Sequence, residues 1–274
     1  MPKRRVIHAA CFADRVLHHA IFNVVEARFE TMLVDSSFAC RPGKGVHRAV
    51  LAVQRSLQRW PWFVQVDVDG YFPSIRHDLL MALLRRRFKG AGFLALLQRI
   101  LDCGATAGPG RGLPIGTLAS QHFANAFLDG ADRFILDQAG VGGHVRYMDD
   151  LLWGCESRAV AEASLAGLEA FLRDTRGLRL KPRRRIARSS EGARYCGFRV
   201  RQGVVLPGPR KMARFRAAVA RIEAARTAGW ASEADCQRAW DGSLATLSGC
   251  ESGGFRRRVL AGFGYSLEPG CPSN

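Results

Sequence analysis

Residues 142–153, with the sequence GGHVRYMDDLLW, indicate a β-hairpin whose tip carries two adjacent aspartates. Residues 142–143 are glycines that open the hairpin, and apolar residues alternate along the arm that follows them. Residues 151–153 form an apolar second arm. The stretch therefore predicts antiparallel sheet, with Asp149 and Asp150 at the turn.

A second acidic stretch follows a run of residues that favours a strand. Residues 62–68 predict a buried strand, which ends in the sequence DVDG at 67–70. If this strand pairs with the hairpin, Asp67 joins Asp149 and Asp150. Clustered carboxylates raise each other's pKa unless a cation neutralises them, and three of them on neighbouring strand ends suit two Mg²⁺ ions. An ordinary aspartate turn with surface aspartates nearby is the alternative.

Helices and short strands are predicted to interleave irregularly along the chain. Apolar residues at helical spacing predict helices at 12–30, 48–57, 78–88, 93–101, 118–137, 160–172 and within 209–263. Further strands are predicted around 178–180, 195–200 and 204–206. This order favours an α+β fold with an antiparallel sheet. The sequence contains neither a GxGxxG nor a Walker A loop, which excludes the commonest nucleotide-binding motifs.

The charge of the chain points to a polyanionic partner. Forty-one Lys and Arg against 24 Asp and Glu give a net charge of +17. Between Arg173 and Arg226 there are 17 basic and three acidic residues. Such a surplus favours a nucleic-acid-binding surface, although a single run such as 183–185 is usually a solvated face.

Length and composition narrow the class of protein. A chain of 274 residues with 47% hydrophobic residues can bury a substantial core. Its apolar runs are too short for a membrane span, so we expect no membrane association and a cytoplasmic location. The eight cysteines are scattered without C-x-x-C spacing, which argues against disulfides and against a zinc site.

Several motifs resemble those of reverse transcriptases. Residues 147–150 (YMDD) resemble the family's Y-x-D-D box, 67–75 (DVDGYFPSI) its first palm motif and 112–121 (GLPIGTLASQ) its second. Residues 14–20 and 38–45 are similar to its fingers motifs, and 178–182 and 195–198 to its late palm and primer-grip motifs. The motifs occur in the family's order and cover about residues 3–206.

This resemblance implies a right-hand polymerase with a ferredoxin-like antiparallel palm sheet, helical fingers and a basic helical thumb. The implied segments are fingers at 1–61, palm at 62–74, fingers and palm helices at 75–118, palm at 119–203 and thumb at 204–274. Because the resemblance to the fingers begins at about Lys3, the chain is either a minimal member of the family or has its true start upstream.

The resemblance also implies an RNA-directed DNA polymerase activity and its metal ligands. Asp67 and Asp149 would bind the metal, assisted by the carbonyl group of Val68, and Asp150 would complete the acidic cluster. The implied cofactors are two Mg²⁺ ions, for which Mn²⁺ could substitute.

Other positions match residues that bind the incoming nucleotide. Arg41 and Lys44 match fingers positions that hold the triphosphate, and a guanidinium can bind phosphate bidentately; a solvated basic loop is the alternative. Phe72 matches the aromatic residue that excludes a 2′-hydroxyl, although phenylalanine is more often a core residue. The remaining implied nucleotide-binding residues are Val68, Gly70, Ile115, Gly116 and Gln121.

Two positions depart from most of the family. Ile115 stands where a glutamine is usual, and Gln121 stands where a proline is usual. This pattern is similar to that of diversity-generating retroelement enzymes and some related bacterial groups. An alkyl side chain at 115 removes hydrogen bonds around the nascent base pair, so we expect low copying fidelity.

The general acid that protonates pyrophosphate is usually a lysine of the late palm. Lys181 lies within residues 178–182, which are similar to the late palm motif, whereas Arg184 aligns best with the family's lysine. Arginine is a poor proton donor because its pKa exceeds 12. We therefore expect either that Lys181 donates the proton or that this step is slow.

The implied partners are a template RNA and a DNA primer, with a small basic accessory protein in the retroelement case. Tyr195, Cys196, Gly197 and Phe198 match the primer grip. The basic residues expected to contact the nucleic-acid backbone are Arg183, Arg184, Arg185, Arg210, Lys211 and Arg214.

Two kinds of alternative stay open. A retron, group II intron-like or phage-defence (antiviral) reverse transcriptase would perform the same chemistry. An RNA-binding protein that keeps the fold without synthesis would belong to another class. The intact Asp67, Asp149 and Asp150 argue against that last case, because a protein without catalysis has no need for clustered carboxylates.

Overall fold

The structure, a computed structural model, describes residues 7–8 and 10–265. The helices are α1 (Phe12–Glu30), α2 (Val46–Arg59), α3 (Tyr71–Ser74), α4 (His77–Arg87), α5 (Ala91–Cys103), α6 (Leu118–Leu136), α7 (Arg158–Arg176), α8 (Pro209–Thr227), α9 (Glu233–Ala245) and α10 (Gly253–Ala261). The strands are β1 (Trp62–Asp67), β2 (Val141–Tyr147), β3 (Asp150–Cys155), β4 (Arg185–Arg188), β5 (Ala193–Tyr195), β6 (Phe198–Val200) and β7 (Val205–Pro207). None of these helices is long and apolar enough to cross a membrane. The start of the predicted fingers (1–6 and 9) and the end of the predicted thumb (266–274) lie outside the described residues.

A four-stranded antiparallel sheet, in the order β2-β3-β1-β4, lies in the first of two compact units, Met1–Arg188. Phe63 and Val64 on β1 are both fully buried, as are Leu151 and Leu152 on β3. Because successive side chains of a strand point to opposite faces, both faces of this sheet are covered.

Two long helices pack on the sheet, and each begins at a side-chain cap. α6 packs on β2, and α7 packs on β1, β3 and β4. Thr117 Oγ1 accepts a hydrogen bond from Ser120 N at 3.4 Å before α6, and Ser157 Oγ accepts one from Val160 N at 3.2 Å before α7. These caps satisfy N–H groups that have no partner within the helix, and so define where each helix starts.

Trp60, directly after α2, packs onto the hairpin of β2 and β3. Gly142 and Gly154 are register partners in that hairpin. A Cβ atom at either glycine would lie 2.3 Å from an atom of the Trp60 side chain. Glycine at these two positions is therefore what lets the indole approach the hairpin.

Most predicted elements are present, but two strand predictions were wrong. Residues 178–180 form only one bridge, between Leu180 and Val68, and the fourth strand is β4 instead. Pro182 follows closely and has no N–H group to continue a ladder. Residues 195–200 form two strands rather than one, because Cys196 and Gly197 have φ values of 47° and 81° and make a two-residue hairpin turn.

The second compact unit, Ser189–Asn274, combines the three-stranded antiparallel sheet β5-β6-β7 with helices α8 to α10. The buried residues of its helical core are Phe215, Val219, Leu247, Phe255 and Leu260. A thumb that starts at residue 204 would separate the paired strands β6 and β7. That domain boundary stays a prediction.

Replacing Gly154 by alanine should destabilise the first unit, because the new methyl group would overlap Trp60. Overpacking of this kind lowers the free energy of unfolding by about 1–3 kcal/mol, which denaturant titration measures. Gly92→Ala is the control, since a Cβ at Gly92 in α5 meets nothing within 4 Å and alanine favours a helix. Equal stability of Gly154→Ala and wild type would contradict this account of the packing.

Candidate active site

The two acidic stretches lie side by side at one end of the first sheet. β1 pairs with β3 so that Asp67 is opposite Asp150, and Val68 N donates a hydrogen bond to the carbonyl oxygen of Asp149 at 3.0 Å. Opposed residues on antiparallel strands have Cβ atoms roughly 4.5–5.5 Å apart. The structure thus brings the strand end and the hairpin tip together, as the sequence predicts.

Asp149 lies in a two-residue turn between the paired residues Tyr147 and Asp150, which we call the Asp149 turn. Met148, the first residue within it, has a φ of 58°. This left-handed conformation is unfavourable by roughly 1–2 kcal/mol for a residue with a Cβ atom. Contacts from outside the turn must therefore hold it in shape.

Lys181 reaches the acidic cluster from the opposite side of β1. Its backbone N–H donates to the carbonyl oxygen of Asp67 at 2.8 Å, and its Nζ donates to Asp67 Oδ1. Arg184 instead forms an ion pair with Glu169 at 2.5 Å. Of the two candidates for the general acid, Lys181 is the one that contacts the cluster.

The surroundings of Asp150 raise the pKa of its carboxyl group. Burial is the main cause that raises its pKa to about 7; a hydrogen bond from Gln65 Nε2 at 3.2 Å lowers it, and the charges of Asp67 and Asp149 raise it. Sequence reasoning missed Gln65. The available signal was its position two residues before Asp67, which puts both side chains on one face of β1.

The donor atoms of this cluster suit a hard divalent cation, because they are carboxylate and carbonyl oxygens. The repulsion felt by Asp150 is of the kind that a bound cation relieves. As they stand, however, no three His, Cys, Asp or Glu side chains within 7–8 and 10–265 are grouped closely enough to hold a metal ion. Asp67 is paired with the Lys181 ammonium group instead. The metal ligands therefore stay a prediction.

Arg41 and Lys44, predicted to bind the triphosphate, lie in the loop between α1 and α2. Their side chains form ion pairs and hydrogen bonds with residues of this loop and with the end of α1. Arg41 Nε pairs with Glu30 at 2.8 Å, and its Nη1 donates to two carbonyl oxygens of the loop at 2.7 and 2.8 Å. Lys44 pairs with Asp35 at 2.5 Å. In this conformation both side chains stabilise the loop, and their contact with a nucleotide stays a prediction.

The other predicted nucleotide-binding residues surround the end of β1 and the start of α6. Phe72 is half-buried, and its carbonyl oxygen accepts a hydrogen bond from Leu113 N at 3.0 Å, which joins the two palm-like motifs. Ile115 is half-buried, and its carbonyl oxygen accepts one from His8 N at 3.0 Å. The remaining positions are Val68, fully buried; Gly70, with a φ of 49°; Gly116, with a φ of 112°; and Gln121, half-buried in the first turn of α6.

The predicted primer-grip residues form the β5–β6 hairpin of the second unit. Tyr195 and Phe198 are buried and flank the turn made by Cys196 and Gly197. Lys211 Nζ on α8 lies 4.3 Å from the Phe198 ring centroid and donates to the carbonyl oxygen of Thr246 at 3.0 Å. Their contact with a primer stays a prediction.

The other basic residues predicted to contact nucleic acid differ in their surroundings. Arg183, Arg210 and Arg214 are exposed. Arg185, in contrast, lies on β4 with its guanidinium carbon 5.0 Å from the ring centroid of Phe63. These arginines looked equivalent in the sequence, but the structure shows that some are exposed whereas Arg185 packs on an aromatic ring.

Comparison with known proteins identifies the family. The sequence profile described as reverse transcriptase (RNA-dependent DNA polymerase) matches residues 1–200. YkfC of Escherichia coli is 28% identical over 156 residues, which are 53% of this chain and 39% of that protein. The group II intron-encoded protein LtrA of Lactococcus lactis is 27% identical over 139 residues, which are 49% of this chain and 23% of that protein.

Solved structures of telomerase share the fold. Apo telomerase from Candida tropicalis, truncated from its C-terminal domain, has a TM-score of 0.54 at 11% identity, over 73% of this chain and 49% of that chain. A second apo structure from that organism has a TM-score of 0.53 at 9% identity, over 69% and 40%. The chain thus has a mixed helix and sheet fold with antiparallel strands, as in these proteins, and it spans less than half the length of each of the proteins compared.

Asp150→Asn should stabilise the metal-free protein more at pH 8 than at pH 5. The folded-state pKa of about 7 exceeds the ordinary value of 3.8, so the folded protein binds this proton more tightly than the unfolded chain. The stability that this proton gives the folded protein is therefore lost as the pH rises from the ordinary pKa of 3.8 through the folded-state pKa of about 7. Asparagine does not titrate, so the gain in thermal midpoint over wild type should grow with pH.

Thermal unfolding in the presence of a chelator measures this difference. Asp137→Asn, at an exposed aspartate after α6, is the control and should show no such growth. A gain for Asp150→Asn that is the same at both pH values would contradict the prediction.

Proposed function

The chain belongs to the reverse transcriptase (RNA-dependent DNA polymerase) family, and we propose that it extends a DNA primer on an RNA template with deoxynucleoside triphosphates. The observation that carries the proposal is the cross-strand pair of Asp67 and Asp150 beside the Asp149 turn. Burial is the main cause of the raised pKa of Asp150, and repulsion by the charges of Asp67 and Asp149 adds to it. A role in folding alone does not account for these carboxylates, whereas nucleotidyl transfer does.

Asp67, Asp149 and the carbonyl oxygen of Val68 would hold two Mg²⁺ ions, or Mn²⁺ in their place, with Asp150 completing the cluster. Bound there, the ions would lower the pKa of the primer 3′-hydroxyl and stabilise the charge of the triphosphate. In the reaction, the 3′-hydroxyl gives up its proton to water, its oxygen forms a bond to the α-phosphorus, and the bond between that phosphorus and pyrophosphate breaks. We propose that Lys181 donates a proton to that pyrophosphate. Its contact with Asp67 supports this role.

Selection of the sugar is assigned to Phe72. Its ring would clash with a 2′-hydroxyl, so deoxyribonucleotides would be preferred. Its half-burial at the start of α3, five residues after Asp67, supports this assignment. Arg41 and Lys44 would bind the triphosphate from the loop before α2.

In this proposal the chain is organised as a right hand. The fingers comprise 1–61 and 75–118, the palm 62–74 and 119–203, and the basic thumb the residues from 204 onward. Exposed arginines within 173–226 would contact the phosphate backbone of the template and primer. Affinity for nucleic acid would then fall steeply as the salt concentration rises.

Asp149→Asn should reduce magnesium-dependent primer extension on an RNA template by at least about a hundredfold, because loss of a metal ligand removes several kcal/mol of transition-state stabilisation. Single-nucleotide incorporation with a labelled primer measures this effect. Asp69→Asn is the matched control, since Asp69 follows the same strand but is exposed. Incorporation by Asp149→Asn at the wild-type rate would refute the role of the cluster, and a wild type without incorporation would favour an RNA-binding protein.

Two sequence features favour an error-prone enzyme of a diversity-generating retroelement, which would act with a small basic accessory protein. These features are Ile115 and Gln121, at positions where most of the family has glutamine and proline. The similarity to a group II intron-encoded protein favours the alternative of an intron-type reverse transcriptase. Retron and phage-defence enzymes would share the chemistry of both.

Ile115→Gln should reduce misincorporation by roughly 5–30-fold, the equivalent of the 1–2 kcal/mol that restored hydrogen bonds around the base pair are worth. Sequencing of the cDNA made from a defined RNA measures it. Ile115→Val keeps the side chain apolar and should keep the wild-type error rate. Wild-type errors concentrated opposite template adenines would support the retroelement assignment, and accurate wild-type copies would overturn it in favour of a retron-like or intron-type enzyme.

A further inference from the structure

A completely buried ion pair lies behind the Asp149 turn. The side chains of Arg146 on β2 and Asp132 on α6 are both 0% exposed, with Nη2 and Oδ2 2.7 Å apart. Arg146 Nε donates to both carboxylate oxygens at 2.8 Å. Burial by itself would lower the pKa of Arg146, but the charge of Asp132 holds it above the ordinary value, so the guanidinium stays charged.

The other donors of Arg146 reach the turn and α6. Nη1 donates to the carbonyl oxygen of Met148 at 3.2 Å and to Asn125 Oδ1 at 3.0 Å. The Met148 carbonyl belongs to the peptide bond that leads into Asp149. Because a peptide unit is planar, a hydrogen bond to this oxygen also orients the backbone nitrogen of Asp149. The guanidinium therefore supports the turn at its strained residue.

The same residue also holds the loop between α1 and α2. Arg146 N donates to the carbonyl oxygen of Ser36, and Phe38 N donates to the carbonyl oxygen of Arg146, both at 2.9 Å. Asn125 Nδ2 donates to the carbonyl oxygen of Ala39 at 2.8 Å. The loop that carries Arg41 and Lys44 is thus bonded to the backbone of Arg146, and the guanidinium reaches it through the Asn125 amide, which accepts from Arg146 and donates to the loop.

We propose that Arg146, fixed by Asp132 and Asn125, is a positioning residue that sets the Asp149 turn against the nucleotide-binding loop. The inference rests on the proposed function, because it assigns a role within that same site. Stability alone does not explain the arrangement, since apolar residues can often replace a buried ion pair without loss of stability. Such a replacement could not donate to the Met148 carbonyl oxygen.

The double variant Arg146→Met/Asp132→Leu separates positioning from stability in the full-length chain. It removes both charges together, so neither is left buried without a partner. We expect the chain still to fold, together with a loss of about 10–100-fold in both kcat for primer extension and Mn²⁺ affinity of the folded protein. Electron paramagnetic resonance of free Mn²⁺ measures that affinity without any reaction.

Two further variants complete the test. Arg146→Lys keeps a positive charge beside Asp132 but lacks the fork that reaches Met148 and Asn125, and it carries the test if the double variant does not fold. Ser164→Ala is the control for stability alone, because it removes a buried hydrogen bond from Trp153 Nε1, 3.0 Å long, away from the turn. Its thermal midpoint should fall, while kcat and Mn²⁺ affinity of the folded protein should not.

The outcomes distinguish this inference from the proposed function. Wild-type kcat and Mn²⁺ affinity in the folded double variant, or in Arg146→Lys, would overturn the positioning role. The positioning role would also be overturned if kcat and Mn²⁺ affinity fell only in proportion to the fraction of folded protein, because a purely structural role predicts that result. A wild type that neither binds Mn²⁺ nor extends a primer would instead overturn the proposed function.

Discussion

The register between β1 and β3 is the constraint on which the candidate site depends. Asp67 faces Asp150 only in this register. Because side chains alternate between the two faces of a sheet, a slip of one residue would turn one of these carboxylates to the opposite face. Burial on both faces of the sheet holds this register, and Trp60, two residues before β1, packs on the β2–β3 hairpin at Gly142 and Gly154. The position of the acidic groups is therefore a consequence of core packing at some distance from them.

That packing supports several locally unfavourable features at one end of the sheet. Asp150 is half-buried beside two other carboxylates, and Met148 has a left-handed backbone. Each is matched by a specific contact, from Gln65 to Asp150 and from Arg146 to the Met148 carbonyl oxygen. Proteins tolerate such local conflicts mainly where function requires them. Their concentration here is an independent reason, beside the motifs, to propose this end of the sheet as the active site.

The sequence predicted that Asp67 and the hairpin tip come together, but not the contacts that support this arrangement. Asp67, Asp149 and Asp150 lie in short motifs, and periodicity alone predicted α1 with its observed ends, Phe12–Glu30. The pairing of β4 with β1 was missed, because edge pairing depends on contacts between distant segments and the run 183–185 looked like a solvated face. Arg146 was missed for a similar reason. Its partners are distant in sequence, and a single arginine on a predicted strand carries no local signal of burial.

The arginines show why charge composition predicts a binding surface only in part. A net charge of +17 counts every basic residue equally. Yet Arg176 lies between Phe127 and Phe171, with its guanidinium carbon 5.6 and 5.4 Å from their ring centroids, and Arg185 lies over Phe63. These guanidinium groups would have to give up contacts with their own chain to bind phosphate. In the proposed function, the salt dependence of nucleic-acid binding should therefore come mainly from exposed arginines such as Arg183, Arg210 and Arg214, and less from the total charge.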